Sequence, residues 1–152
     1  MSALIGIDGG TESLRAFVFD TAGRPLGQGT GAYSTRIPRP GWAEQDPVDW
    51  WRALGDAVPA ALRDAGVDGR EVRGLGLDTT SCTVVALDAN GQALRPSIIW
   101  MDVRAAEEAD TVLATGAGEL QLNGGGQGPV SAEWMLPKAL WLKRHEPEPF
   151  AH

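Results

Sequence analysis

The sequence predicts an α/β fold, a mixed sheet with flanking helices. Three observations carry that prediction. Three short apolar runs near the start are separated only by tight-turn residues, which makes them an antiparallel meander. A long stretch with apolar residues at helical spacing follows. After it comes another apolar run that ends in an acid, as the first does, and that should lie parallel to the first.

Ala3 to Asp8 is the first strand, expected to be central and buried on both faces. Gly9-Gly10 turns the chain into a second strand, Leu14 to Asp20, and Asp20-Thr21-Ala22-Gly23 turns it again into a weaker strand, Pro25 to Tyr33. Arg36 to Pro47 carries three prolines and a glycine and reads as a loop. Asp46 suits the cap and Pro47 the first turn of the next helix. Its predicted inner stripe is Val48, Trp51, Leu54, Val58, Leu62 and Ala65, with Gly66 as its stop and Pro59 as an expected kink.

Val72 to Asp78 is the acid-ended strand, Thr83 to Asp88 another, and Ser97 to Trp100 a short one. Asp102 is placed to cap a helix reaching about Thr115, with Ala105, Ala109 and Val112 inward. Gly116 to Gly128 is glycine-rich and reads as irregular. Ser131 opens a last helix to Arg144, disturbed early by Pro137, and His145 to His152 reads as a frayed end. A meander, a helix and a returning parallel strand make up the ribonuclease-H-like, actin-like ATPase topology.

The chain of 152 residues is long enough for one domain. Its net charge of −7, with Lys and Arg scattered, argues against nucleic acid as a partner. An acidic protein can still hold an anionic nucleotide through backbone N–H groups and a metal ion. Cys82 is the single cysteine, so no intrachain disulfide forms. The start has no basic segment or long apolar run, so neither a signal peptide nor a membrane span is expected, and the cytoplasm is the expected location.

GIDGGTESLRAFVFD, Gly6 to Asp20, is the first candidate site. Glycines let a hairpin backbone approach a phosphate, and turn N–H groups at Gly10 together with the hydroxyls of Thr11 and Ser13 can donate to its oxygens. Asp8 at the strand end can hold hydrated Mg2+. The spacing matches neither of the two common phosphate motifs, and a hairpin with a surface acid is the plain alternative. Arg15 is either a surface charge or a salt-bridge partner near this loop.

Three further segments carry acids next to strand ends or helix starts: GWAEQDPVDWW from Gly41, GLGLDTTSCTVVALD from Gly74 and IIWMDVRA from Ile98. Paired hydrogen bonds from carboxylates, hydroxyls and guanidinium groups suit vicinal sugar hydroxyls, and aromatic faces suit sugar C–H faces. Trp42, Asp78, Thr80, Ser81, Asp102 and Arg104 are the side chains of that kind. Trp42 serves equally as a loop anchor. Glu44 reads as structural and Asp46 as a cap. Asp102 suits a cap as well as a ligand, and Cys82 reads as a small packing residue. Asp78 is the hardest to explain as structure alone, since a strand-end acid in an α/β protein faces the cleft.

Together these segments resemble the FGGY carbohydrate kinases, which show G-W-x-E-Q-D-P, a strand end with T-S, and W-x-D-x-R-A in this order. The first loop is similar to the phosphate loop of the wider superfamily of sugar kinases, actin and 70-kDa chaperones, where the matching acid acts on metal and phosphate. The resemblance runs from Leu4 to about Pro147. GGGQGPVSAEWMLPK, from Gly124, is similar to the ribulokinase-like, pentulose-kinase branch, in which the final lysine contacts the sugar; here that is Lys138, with Glu133 and Trp134 before it. On the residues alone, Lys138 reads as an exposed helix lysine and Trp134 as core.

The resemblance implies an ATP-dependent kinase of a ketopentose or related polyol, using ATP and Mg2+, with a homodimeric parent enzyme. It also implies that residues 1–152 are a partial N-terminal domain with one phosphate loop and part of the sugar site. The second, ATP-binding domain and the catalytic base would lie beyond them, so the isolated chain is expected to be inactive. The alternative is a degenerate domain that binds a sugar or a partner without catalysis.

Overall fold

The computed structural model describes residues 2–122 and 129–151. The chain forms two compact units, one made of Met1–Thr35 and Asp46–Thr80, the other of Arg36–Gln45 and Ser81–His152.

The first unit is a four-stranded mixed sheet with one helix. Strands β1 (Ala3–Gly9), β2 (Ser13–Asp20) and β3 (Pro25–Ala32) form the expected meander. Strand β5 (Val72–Thr79) returns parallel to β1, giving the order β3-β2-β1-β5. The first strand is central, but it is not buried on both faces. Ala3, Ile5 and Ile7 point inward, while Leu4 on the opposite face is 41% exposed. The alternation follows from a helix covering one side only.

Helix α1 (Pro47–Ala65) begins as the sequence indicates. Asp46 accepts a hydrogen bond from the Val48 N–H, and Gly66 ends the helix in the left-handed region. The helix runs through Pro59 as one element. Its buried face differs from the predicted stripe. Ala53, Ala57 and Ala61 are buried, with Leu54, Val58, Leu62 and Ala65 packed beside them, whereas Val48 and Trp51 lie in the open.

The reason lies in β3. Its glycines alternate, and the helix backbone sits directly on them. A Cβ on Gly29 would stand 2.2 Å from the Ala57 carbonyl oxygen, and one on Gly31 would stand 2.2 Å from that of Ala53. Glycine on the strand and alanine on the helix permit a contact that no larger pair allows. Small residues therefore define the inner face.

The second unit is held by smaller clusters. Strand β4 (Glu44–Gln45) pairs antiparallel with β6 (Ser97–Ile98), the short strand expected near that point. Thr83 to Asp88 is not a strand. Only single bridges form there, Val84 with Ile98 and Leu87 with Ala93. Because β6 is only two residues long, it offers little edge for a longer partner. Helix α2 (Ala106–Ala114) buries Ala109 and Val112 as expected, with Ala105 buried at its cap position.

A 3-10 turn over Gly118–Leu122 replaces part of the predicted irregular stretch. The remaining glycine-rich segment, from Gly124 to Gly128, lies outside the described residues. Helix α3 (Met135–His145) starts four residues after Ser131, whose hydroxyl instead accepts from the Glu133 N–H in the turn before it. A short helix α4 (Pro147–Ala151) stands where a frayed end was expected. Among the described residues no helix is long and apolar enough to cross a membrane.

The strand–helix contact gives a paired prediction. Gly29→Ala should destabilise the chain by about 1–3 kcal/mol, because the added carbon overlaps backbone that cannot step aside. Gly55→Ala, in α1 with nothing near its would-be Cβ, should stabilise it by about 1 kcal/mol. Urea unfolding followed by circular dichroism measures both, and equal effects of the same sign would contradict the contact.

Candidate functional site

In the first unit the site grows from the register of three strands. The β1–β2 pairing sets Asp8 opposite Arg15, and the two side chains form an ion pair. Arg15 is thus a salt-bridge partner of Asp8. On its other edge β1 sets Asp8 level with Asp78 of β5. Both acids close parallel strands and both are open to solvent at the same end of the sheet, since the Asp8 side chain is 41% exposed and Asp78 is exposed.

The loop between β1 and β2 is tied at several points. Gly10 N–H donates to the Ser13 carbonyl at 3.0 Å, and the Tyr33 hydroxyl donates to the Gly10 carbonyl. The Thr80 N–H donates to the Gly9 carbonyl at 3.2 Å, tying the loop to the end of β5. A Cβ on Gly9 would meet the Thr79 methyl at 3.1 Å, so the two strand ends close tightly. Burial, reinforced by the negative charge of Asp8, holds the Tyr33 phenol above its ordinary value. Tyr33 therefore stays a neutral hydrogen-bond donor.

Among the described residues no cluster of three or more metal-ligating side chains forms. The Asp8 carboxylate is a hard-oxygen donor, which fits Mg2+ when water and phosphate oxygens complete its shell.

In the second unit the predicted residues separate into two kinds. Asp102 and Arg104 have no solvent-exposed side-chain surface. Asp102 does not cap α2, which starts at Ala106 without a side-chain cap. Its carboxylate instead accepts from the Ala43 N–H at 2.6 Å, from the Arg104 N–H at 2.9 Å and from the Arg104 guanidinium.

Arg104 also reaches Glu44 at 2.8 Å and stacks 3.8 Å from the centre of the Trp42 ring. Trp141 meets Trp42 edge-on at 5.4 Å. Glu44 takes a second cation, Arg95, at 2.6 Å, which agrees with its structural reading. A buried charge needs such partners. In this arrangement Trp42 anchors the loop.

Lys138 is fully buried, contrary to its reading as an exposed helix lysine. Its Nζ donates to the backbone carbonyls of Cys82, Ile99 and Trp100 at 3.0, 2.8 and 3.2 Å. Burial pulls its ammonium below the usual lysine value, while the negative charge of Asp102 opposes that shift. Ser81 is exposed and Glu133 half-buried. Trp134 packs beside the small core of Ala109, Val112 and Val130, apart from the cluster that holds Trp141.

Sequence reasoning missed Arg95 and Tyr33, which no motif marks. It also missed how Lys138 is used, although a signal existed: Lys138 is the one charge in the apolar run MLPKALWL.

This fold, with acids closing adjacent parallel strands and a glycine hairpin beside them, is the mixed sheet of the actin-like ATPases. The chain belongs to the FGGY family of carbohydrate kinases, whose N-terminal domain matches residues 3–152. It is 35% identical over 147 residues to the xylulose kinase of Klebsiella pneumoniae, covering 97% of this chain and 29% of that protein. It is 33% identical over 169 residues to the ribulokinase of Geobacillus thermodenitrificans, covering 95% of this chain and 30% of that protein. The structure of a xyloylose kinase from Brucella ovis superposes with a TM-score of 0.90 at 31% identity, covering 99% of this chain and 31% of that one. The chain thus spans about three-tenths of the length of the relatives it matches.

Two predictions follow from the buried charges. Asp102→Asn should cost about 1–3 kcal/mol in urea unfolding, since it removes one of the two acids that pair with the buried Arg104 guanidinium and leaves it with Glu44; a loss below that of an ordinary surface change would contradict the network. Lys138 releases its proton at lower pH in the folded chain than in the unfolded one, so between those two values the unfolded state binds more protons. Stability should therefore rise with pH from the lowered folded value up to 10.5. The unfolding free energy of the wild type minus that of Lys138→Met, followed over this window, should climb; a flat difference would contradict it.

Proposed function

We propose that this chain supplies the sugar-binding side and the first phosphate loop of an ATP-dependent kinase that phosphorylates a ketopentose, ribulose- or xylulose-like, or a related polyol. The observation that carries the reading is the side-by-side placement of Asp8 and Asp78 at the ends of parallel strands, next to the Gly9–Ser13 hairpin. Support for a five-carbon sugar comes from relatives named for xylulose and ribulose.

In this reading the Gly10 N–H, which closes the turn on the Ser13 carbonyl, shapes the hairpin rather than donating to phosphate as the sequence suggests, and the hydroxyls of Thr11 and Ser13 receive the terminal phosphates of ATP. Arg15 exchanges part of its bond with Asp8 for a phosphate oxygen. Asp8 would hold Mg2+, which when bound would supply positive charge to the phosphoryl oxygens. Asp78 and the Thr80 hydroxyl accept and donate to sugar hydroxyls. Ser81, which follows Thr80 directly in the chain, is a further group for the sugar, and within the second unit Trp42, Asp102, Arg104 and Lys138 hold the backbone around it. No residue of this chain is assigned as the base that takes the sugar hydroxyl proton, so catalysis belongs to the longer enzyme, a cytoplasmic one in this reading.

Calorimetry on the purified chain tests the division of labour. Asp78→Asn should weaken pentulose binding roughly tenfold or more, because a charge-assisted hydrogen bond is lost, while leaving Mg2+-dependent ATP binding in place. Asp8→Asn should do the reverse. Absence of heat with D-xylulose, D-ribulose, ribitol and glycerol alike would sink the reading. No ADP release is expected from the chain alone in a coupled assay.

A further inference from the structure

Lys138 has a role that a direct sugar contact cannot fill. An ammonium group carries three N–H donors and no acceptor. All three are matched by backbone carbonyls, those of Cys82, Ile99 and Trp100. The side chain is fully buried, so neither a free donor nor an open path to solvent remains.

The three carbonyls are not an arbitrary set. Cys82 directly follows Ser81 and has a φ of 61°, the only positive φ of a non-glycine residue among those described. Such backbone is costly for a residue with a Cβ and persists only where its surroundings impose it. Its carbonyl is one of the Lys138 acceptors. Ile99 and Trp100 lead into Asp102, which carries Arg104 and through it Trp42. One side chain on α3 therefore fastens two segments that are far apart in sequence, one next to Ser81 and the other leading into the Asp102–Arg104 network.

We infer that Lys138 is a positioning residue: its ammonium holds the left-handed turn at Cys82 and the Ile99–Trp100 backbone in one arrangement, and it acts on the sugar only through the groups those segments carry. The inference rests on the sugar-binding reading above, which it deepens. A long, flexible, strongly hydrated cation suits this use, because it satisfies several carbonyls at once where a shorter or planar donor would miss one.

Cys82 is the chain's single cysteine, so its thiol reports the turn directly. The rate of its modification by Ellman's reagent is compared in wild type, Lys138→Met and Lys138→Gln, under conditions where circular dichroism shows each chain folded. Pentulose affinity is measured by calorimetry on the same samples. Lys138→Met should speed thiol modification and weaken sugar binding, each roughly tenfold, with Lys138→Gln, which keeps two donors, between it and the wild type.

An unchanged thiol rate in both variants overturns the inference. So does a faster thiol rate with undiminished sugar affinity, or a large loss of affinity with no change at the thiol, which would mark a direct contact. Should Lys138→Met fail to fold, the glutamine variant carries the same comparison. A wild type that binds no pentulose defeats the sugar reading itself, and is told apart from these results because it appears before any substitution.

Discussion

Strand β1 is hydrogen-bonded along both edges, antiparallel to β2 and parallel to β5, and the first unit depends on that double pairing. A strand's side chains alternate with a period of two, so a one-residue slip on either edge would reverse every face. The present register turns Ile5 and Ile7 into the core beneath α1 and leaves Asp8 level with Arg15 on one side and Asp78 on the other. Packing of the core and alignment of the acids are therefore one constraint. The small-residue contact between β3 and α1 reinforces it, since glycine on the strand fixes how closely the helix can lie.

The second unit solves a different problem. It has little sheet, so charge networks do the work that a ladder does in the first. Glu44, Asp102, Arg104 and Arg95 interlock, two tryptophans enclose the guanidinium of Arg104, and Lys138 satisfies carbonyls that no strand pairs. Buried networks of this kind are costly when broken. A loop framework that must present hydroxyls and carboxylates in fixed directions suits such a design, which explains why several residues of the family motifs face inward.

Much of this was legible in the sequence. The acid-ended strands, the meander, the Asp46 cap and the Gly66 stop are local features, set by apolar runs and turn chemistry over a few residues. What escaped was non-local. Val48 and Trp51 looked like core because they are large, but the glycines of β3 admit only alanine at the contact. Thr83 to Asp88 has the composition of a strand, yet its partner β6 is too short to build a ladder. Asp102 stands where a cap would, and its use as a partner of Ala43 and Arg104 depends on a residue 59 positions away. Lys138 could not be placed because its three acceptors are backbone carbonyls, which leave no mark in a sequence.

The central claim is that the end of β5 and the turn after it face a sugar. Backbone amide chemical shifts of the isotopically labelled chain, recorded by NMR during titration with D-xylulose or D-ribulose, address it most directly. The account predicts saturable shifts concentrated at Asp78 to Cys82, with Gly9 to Ser13 responding instead to Mg2+ and ATP. Pentulose-induced shifts confined to residues outside Asp78 to Cys82, or none at all, would contradict it.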